Sequence, residues 1–585
     1  MNSQTAPRPH ILGDFTASPR LLLLAAMAVP VSAGAALAAW GLLKLIAVCT
    51  NLAYHQTLST VMPTFPATLP LWSIAIPVVG GLIIGLMARY GSEKIRGHGI
   101  PEAIEAILIG QSRVAPKVAL LKPLSSAISI GTGGPFGAEG PIIMTGGALG
   151  SLFAQLFHLS SAERKTLLVA GAAAGMTAIF NTPIAAILLA VELLLFEWKP
   201  RSFVPVVVAT ITAALCRPFL LGSGALFPYT AIPMLPWWGL GLCALIGIAA
   251  GLQSALMTLC LYGIEDLFEK LPIHWMWWPA LGGLAVGIGG YYDPSVLGVG
   301  YDNIRQLLAG SMDMHAATSL LLLKMAIWLI ALSSGTSGGV LAPLLIMGGA
   351  LGLIEGHFLP FADPGFWALL GMTAILGGTM RAPLTAVFFA LELTGNIHVL
   401  LPLLTCSVAA FTVTVLLMKR SILTERIARR GLHLSREYSV DPFLGSRVGD
   451  IMIRCVETLP ANTTVQAAIT FYSDDAPRHK SYPVVDQQGH VLGMVSRSDI
   501  LTWARNEEMQ TGTLARALAD TPLFSGYDDE IVAALADRMI AADLSRVPIL
   551  SRDQNKLIGL VSRRDLLQVR AQLTHQEQKR SQGFA

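Results

Sequence analysis

Three short stretches of the 585-residue sequence combine residue types that could do chemistry with spacing that would place them. They are GHGIPE (Gly97–Glu102), GTGGPFGAEGP (Gly131–Pro141) and GTSGGVLAP (Gly335–Pro343). Each is glycine-rich, each carries a proline, and each runs directly into helix-forming residues. Proline in a first helical turn costs nothing, because the N–H it lacks would be unpaired there anyway. Three loops of this design, each opening a helix, would aim backbone N–H groups and positive dipole ends at one spot. That spot would hold an anion without lysine or arginine. A helix terminus contributes about 0.3–1 kcal/mol at a surface and up to ~2 kcal/mol when partly buried. Such modest attraction suits an ion that must bind and also leave.

The middle stretch contains a single carboxylate, Glu139, with no basic residue to neutralise it. Desolvation and helix N-termini act on a carboxyl group in opposite senses. Such a group can occupy an anion site when charged and leave it when neutral. The plainer alternative is a cap that only satisfies backbone N–H groups.

The elements around these stretches are those of a membrane protein. The sequence is 53% hydrophobic and only 13% charged, against about 25% in soluble domains, and its mean hydropathy is +0.59. Six apolar runs, Leu21–Val48, Trp72–Met87, Phe203–Leu221, Trp237–Leu261, Ser319–Leu332 and Val399–Met418, approach or exceed the length needed to cross a bilayer. The spacing predicts a polytopic helical membrane body. Basic clusters at segment ends, such as RYGSEKIRGHG and KRSILTERIARRG, mark candidate cytoplasmic sides. A net charge of +3 is too small to suggest nucleic-acid binding. The six cysteines show no metal-ligand or redox spacing. The N-terminal apolar run is longer than a signal-peptide core, so no removable signal peptide is expected.

The body repeats itself. GMTAIFNTPIAAILLAVEL (Gly175–Leu193) matches GMTAILGGTMRAPLTAVFFALEL (Gly371–Leu393), with Pro183 and Pro383 each nine residues before a glutamate, Glu192 and Glu392. The two glutamates lie 200 positions apart. Such repeats are common in transporters, where broken helices of both halves meet near mid-membrane. Duplication and packing alone would leave the same trace. Beyond about residue 435 ordinary soluble alternation returns. There YPVVDQQGHVLGMVSRSDIL (Tyr482–Leu501) matches VPILSRDQNKLIGLVSRRDLL (Val547–Leu567), each reading as a hairpin running into a helix opened by Ser-Arg-x-Asp.

On GHGIPE, GAEGP, GGVLAP and their flanking helices, residues 20 to 435 resemble the CLC family of chloride channels and proton-coupled chloride transporters. The tail resembles a pair of CBS domains. The resemblance implies an all-α membrane domain with an internal inverted repeat (about 20–222 and 236–418), followed by an α/β tandem CBS module. It divides the chain into a tail (1–19), the membrane domain (20–435), a linker (436–445), CBS domains at 446–507 and 512–573, and a polar tail (574–585). It further implies a homodimer with one pore per subunit in a lipid bilayer, expected to be a bacterial inner membrane. Both termini and the CBS pair would be cytoplasmic, and the protein would not be an enzyme. The substrate would be chloride or a related small anion, with no metal and no required cofactor.

Carried over residue by residue, Glu139 would be the gate. Backbone around Gly97, His98, Gly99, Ile100, Pro101, Gly137, Ala138, Gly140, Pro141, Gly339, Val340 and Leu341 would line the anion path. Three positions depart from the family pattern. His98 stands where many relatives have a serine, and its ordinary pKa near 6.5 would make that site pH-sensitive. Leu423 stands where many have a tyrosine and cannot donate a hydrogen bond. Leu193 stands where exchangers carry their inner glutamate, so the usual proton relay is lost. Glu192 is adjacent, but its counterpart Glu392 suggests a shared structural role. These departures lead to an expectation of passive or weakly proton-coupled anion conduction with CBS regulation. The alternatives are an H+/Cl− antiporter using a non-standard proton path, and a membrane-anchored CBS nucleotide sensor. In the tail, Ser496, Asp499, Ser562 and Asp565 occupy places where CBS pairs hold an adenine nucleotide. An Asp at a helix start can equally serve only the helix dipole.

Overall fold

The computed structural model describes residues 19–108, 110–157, 159–232, 235–431, 443, 446–473, 479–569 and 571. The expected N-terminal tail except Pro19, the polar C-terminal tail and all of the expected linker except Phe443 lie outside them. The chain divides into two compact units, one spanning Phe15–Arg436 and the other holding the chain from Glu437 onward.

The first unit is helical. Six helical stretches among the described residues are long and apolar enough to cross a membrane: Arg20–His55, Leu71–Tyr90, Pro200–Leu220, Gly239–Glu269, Met314–Ser333 and Ile397–Arg429. They fall on the six apolar runs of the sequence. The first half comprises α1 (Arg20–Thr50), α2 (Ala75–Tyr90), α3 (Ile100–Leu108), α4 (Pro116–Gly131), α5 (Glu139–Leu156), α6 (Ser161–Phe180), α7 (Pro183–Leu189) and α8 (Pro200–Leu220). The second half follows the same order as α9 (Gly239–Glu269), α10 (Trp278–Tyr292), α11 (Tyr301–Leu308), α12 (Met314–Ser333), α13 (Leu341–Gly356), α14 (Pro364–Met380), α15 (Pro383–Thr394) and α16 (Leu400–Leu417). A last short helix, α17 (Ile422–Arg429), packs on α3.

Matching packing accompanies matching order. α6 lies against α5, α8 and α1, as α14 lies against α13, α16 and α9, while α2 meets α10 and α7 meets α15 across the two halves. Small residues allow the close approaches. A Cβ at Gly146 would collide with the carbonyl of Gly171, and one at Gly348 with the carbonyl of Gly371. The halves even break their helices alike. α6 ends where Asn181 turns left-handed (φ 60°) and α14 where Arg381 does (φ 55°). Pro183 and Pro383 then start the next helices with φ already set.

In the second unit the tandem repeat forms two three-stranded sheets. In the first, β1 (Leu459–Pro460) runs parallel to β2 (Ser481–Val485), which pairs antiparallel with β3 (Val491–Ser496). In the second, β4 (Gly526–Tyr527), β5 (Arg546–Leu550) and β6 (Leu557–Ser562) repeat the pattern. Ser481 pairs with Ser496, and Arg546 with Ser562. The two hairpins meet at their turns, where Leu557 N–H donates to the Gly489 carbonyl at 3.2 Å.

Candidate anion pathway

The three glycine-rich loops come together. Gly137 and Gly339 exchange backbone hydrogen bonds, Gly137 N–H to Gly339 O at 3.1 Å and Gly339 N–H to Gly137 O at 2.8 Å. Gly97 bridges to Ser337, whose hydroxyl meets those of Ser125 at 3.2 Å and Ser126 at 2.8 Å. The His98 carbonyl lies so close to Gly140 that a Cβ there would collide with it. Gly97 and Gly99, at φ 82° and 92°, adopt a left-handed geometry that few other residues tolerate. The N-terminal ends of α3, α5 and α13 are thereby gathered around one place.

Glu139 occupies that place. It is fully buried at the start of α5. Its Oε1 accepts the backbone N–H of Leu341 and, at 3.1 Å, that of Ala342. These are the first two residues of α13, so the carboxylate sits where that helix would hold an anion. The other oxygen, Oε2, is buried without a hydrogen-bond partner.

Other expected site residues are positioned as follows. Ala138 and Val340 immediately precede α5 and α13, and Ile100 and Pro101 are the first two residues of α3. His98 is buried and its Nδ1 has no partner. Leu423 is buried in the first turn of α17. Leu193 is buried in the π-helical turn Ala190–Leu195. One expectation needs correction: the amides of Gly137 and Gly339 are bonded to each other's carbonyls, so they do not face an ion. Pro141 falls third in the first turn of α5, which starts at Glu139.

Glu192 and Glu392 are bound to opposite halves. Glu392 accepts the N–H groups of Ile184 at 2.9 Å and Ala185 at 2.8 Å, at the start of α7. Glu192 accepts those of Leu384 at 3.3 Å and Thr385 at 2.9 Å, at the start of α15, and the Thr385 hydroxyl at 2.6 Å. Each carboxylate caps the proline-led helix of the other repeat.

Sequence reasoning missed several charged groups beside the pathway. Lys122 is fully buried and donates to the carbonyls of Ile95 at 2.8 Å and Gly97 at 2.6 Å. Lys324 repeats this in the second half, donating to Val296 O at 2.9 Å and Gly298 O at 3.4 Å. Each lysine thus fixes a glycine loop from behind. A lysine inside an otherwise apolar helix was the available signal. Tyr301, at the start of α11, lines a cavity of about 780 Å³ together with Lys44 and Arg305. Its buried hydroxyl has no partner, and it lies within electrostatic reach of Glu139.

In the tandem module, the Ser-Arg-x-Asp pairs are closed on themselves. Asp499 Oδ2 accepts Ser496 N–H at 2.7 Å and the Ser496 hydroxyl at 2.5 Å. Asp565 Oδ2 accepts both Ser562 donors at 2.7 Å. Both are reciprocal serine–aspartate caps at a helix start.

Two repeats of broken apolar helices, meeting N-terminus to N-terminus around a buried carboxylate, define a membrane anion-transport protein. The match to known families makes it specific. Residues 80–415 match the voltage gated chloride channel family and residues 448–506 and 515–572 match the CBS domain, so the chain belongs to the CLC chloride channel and transporter family and carries two CBS domains. A Ralstonia nicotianae protein that bears the name of a ClcB-like chloride channel protein is 30% identical over 354 residues, 59% of this chain and 82% of that one. The H(+)/Cl(−) exchange transporter ClcA of Klebsiella pneumoniae is 31% identical over 341 residues, covering 55% and 71%. The crystal structure of a slow cyanobacterial Cl−/H+ antiporter shares the fold, with a TM-score of 0.63 at 23% identity over 71% of this chain and 99% of that one.

Proposed function

We propose that this protein carries chloride or a related small anion through the membrane by a path that Glu139 opens and closes, as passive or weakly proton-coupled conduction. The observation that carries this reading is the Glu139 carboxylate on the first amides of α13. A charged carboxylate there competes with an anion for the same donors. A protonated one competes poorly and releases them. Weak coupling follows from the side chains at the expected relay position: Leu193 cannot take up a proton, and Glu192 is engaged in capping α15. The experiment is a paired measurement of anion and proton flux in liposomes. A chloride gradient that drives no proton movement supports conduction; tight, stoichiometric proton movement rejects it.

A second reading, H+/Cl− antiport over a non-standard proton path, is favoured by the exchange-transporter names of relatives near 30% identity. The same flux measurement separates the two. We further propose a homodimer in a plasma membrane, with both termini and the CBS pair on the cytoplasmic side, that is not an enzyme and needs no cofactor or metal. The CBS pair would regulate flux, with an adenine nucleotide as its ligand.

A further inference from the structure

Arg426 stands three residues past Leu423 on α17. Its guanidinium is set against the GHGIPE loop so closely that a Cβ on Gly97 would collide with Nη1. The side chain is only 16% exposed, and its ionic neighbour is Glu102, with Oε1 at 3.6 Å. That is too long for a good hydrogen bond. No hydrogen bond to the Arg426 guanidinium occurs among the described residues. Glu102 is engaged elsewhere: its Oε2 accepts the Gly99 N–H at 2.9 Å, while Oε1 is buried with no hydrogen-bond partner. Arg430 Nη2 lies 4.0 Å from the same Oε1. Next to Gly97, the Nδ1 of His98 is also buried and unpartnered.

A guanidinium carries five N–H donors in a planar fork and no acceptor. None of its nitrogens is among the fully buried unpartnered atoms of the described residues, so the fork is reachable from solvent, and the carboxylates that face it, Glu102 and Glu265, act on it by charge without occupying its donors. Lys122 cannot stand in for Arg426 as an ion's partner, because its ammonium is bound to the carbonyls of Ile95 and Gly97. The missing complement is a small acceptor with negative charge.

The geometry points to Arg426 as the side chain that holds a transported monovalent anion at the GHGIPE end of the path, with Glu102 as its competitor within the protein. This rests on the anion-transport reading above. The arrangement mirrors Glu139. At one site a carboxylate takes the amides an ion would use; at the other a carboxylate stands beside the guanidinium an ion would use. An arginine here also supplies the donors that Leu423 cannot.

The test is chloride titration by calorimetry on the purified full-length protein in detergent, for the wild type, Arg426→Gln, Arg426→Lys and Glu102→Gln. Arg426→Gln should weaken chloride binding about tenfold or more, and Arg426→Lys by less. Glu102→Gln keeps an oxygen for the Gly99 N–H but removes the competing charge, so binding should tighten by about threefold. Unchanged affinity in a monodisperse Arg426→Gln protein overturns the inference. If that variant does not fold, equal or weaker binding in Glu102→Gln overturns it instead. Liposome flux keeps the two readings apart. A wild-type protein with no anion flux defeats the transport reading, whereas normal flux with unchanged affinity in Arg426→Gln defeats only the role of Arg426.

Discussion

The Oε1 of Glu139 accepts the backbone N–H of Ala342 at 3.1 Å, across 203 residues of chain. A side chain at the start of one helix therefore occupies the N-terminus of its counterpart in the other repeat. The carboxylate is fully buried, and the glycine loops that bring it there are tied to each other by the Gly137–Gly339 bridge. Its negative charge is offset by amide dipoles rather than by a cation, which leaves it free to be displaced by an ion of the same sign.

Glu139→Gln and Glu139→Ala should leave anion flux in liposomes constitutively present and flat with external pH. In the wild type, acid neutralises the carboxyl and frees the Leu341 and Ala342 amides, so flux should rise as pH falls. A variant that keeps the wild-type pH profile would remove Glu139 from the gate.

His98→Ser tests the imidazole beside Gly97. Its Nδ1 is buried without a partner, so it can donate to an ion or accept from a water. Serine keeps a donor in place of the larger imidazole. The expected outcome is an altered chloride-to-nitrate flux ratio, or a changed chloride affinity by calorimetry. If neither changes, His98 is a packing residue.

Much of the scaffold was legible in the sequence, for physical reasons. A membrane span needs about 20 apolar residues in a row, so α1, α9 and α16 announce themselves. Glycine loops running into helices likewise mark where backbone segments approach each other closely, as Gly137 and Gly339 do. What could not be read was pairing across the two halves. The common Pro-to-Glu spacing was visible, but not that Glu192 caps α15 and Glu392 caps α7, because that depends on how the repeats face each other. Arg426 was harder still. In KRSILTERIARRG it reads as one more basic residue at a membrane edge, and only the packing of α17 on α3 sets it against Gly97. Lys122 and Lys324 look like exceptions in apolar helices until each is seen holding two loop carbonyls.

The reciprocal caps make a prediction about stability rather than transport. Glu192→Gln and Glu392→Gln weaken charge-assisted bonds to helix-start amides, each change costing about 1–3 kcal/mol. Both variants should unfold at lower temperature while the ratio of proton to anion flux stays as in the wild type. A Glu192→Gln protein with normal thermal stability and an altered ratio would make Glu192 the relay that Leu193 cannot be.

In the tandem CBS module, Asp499 and Asp565 each hold the hydroxyl and N–H of the serine three residues before. If capping is their whole role, Asp499→Asn and Asp565→Asn should each cost about 0.3–1 kcal/mol, since asparagine still accepts but without charge. ATP and AMP would then not alter the melting temperature of wild type or variants. If a nucleotide binds there, its ribose hydroxyls must draw on the same carboxylates, which have a second oxygen to offer. Saturating ligand at 100 times its Kd would stabilise the wild type by about 2.7 kcal/mol. The aspartate variants would lose most of that gain. Nucleotide-dependent thermal shift in wild type and both variants therefore separates a strut from a sensor, and repeating the flux assay with the nucleotide shows whether the sensor reaches the gate.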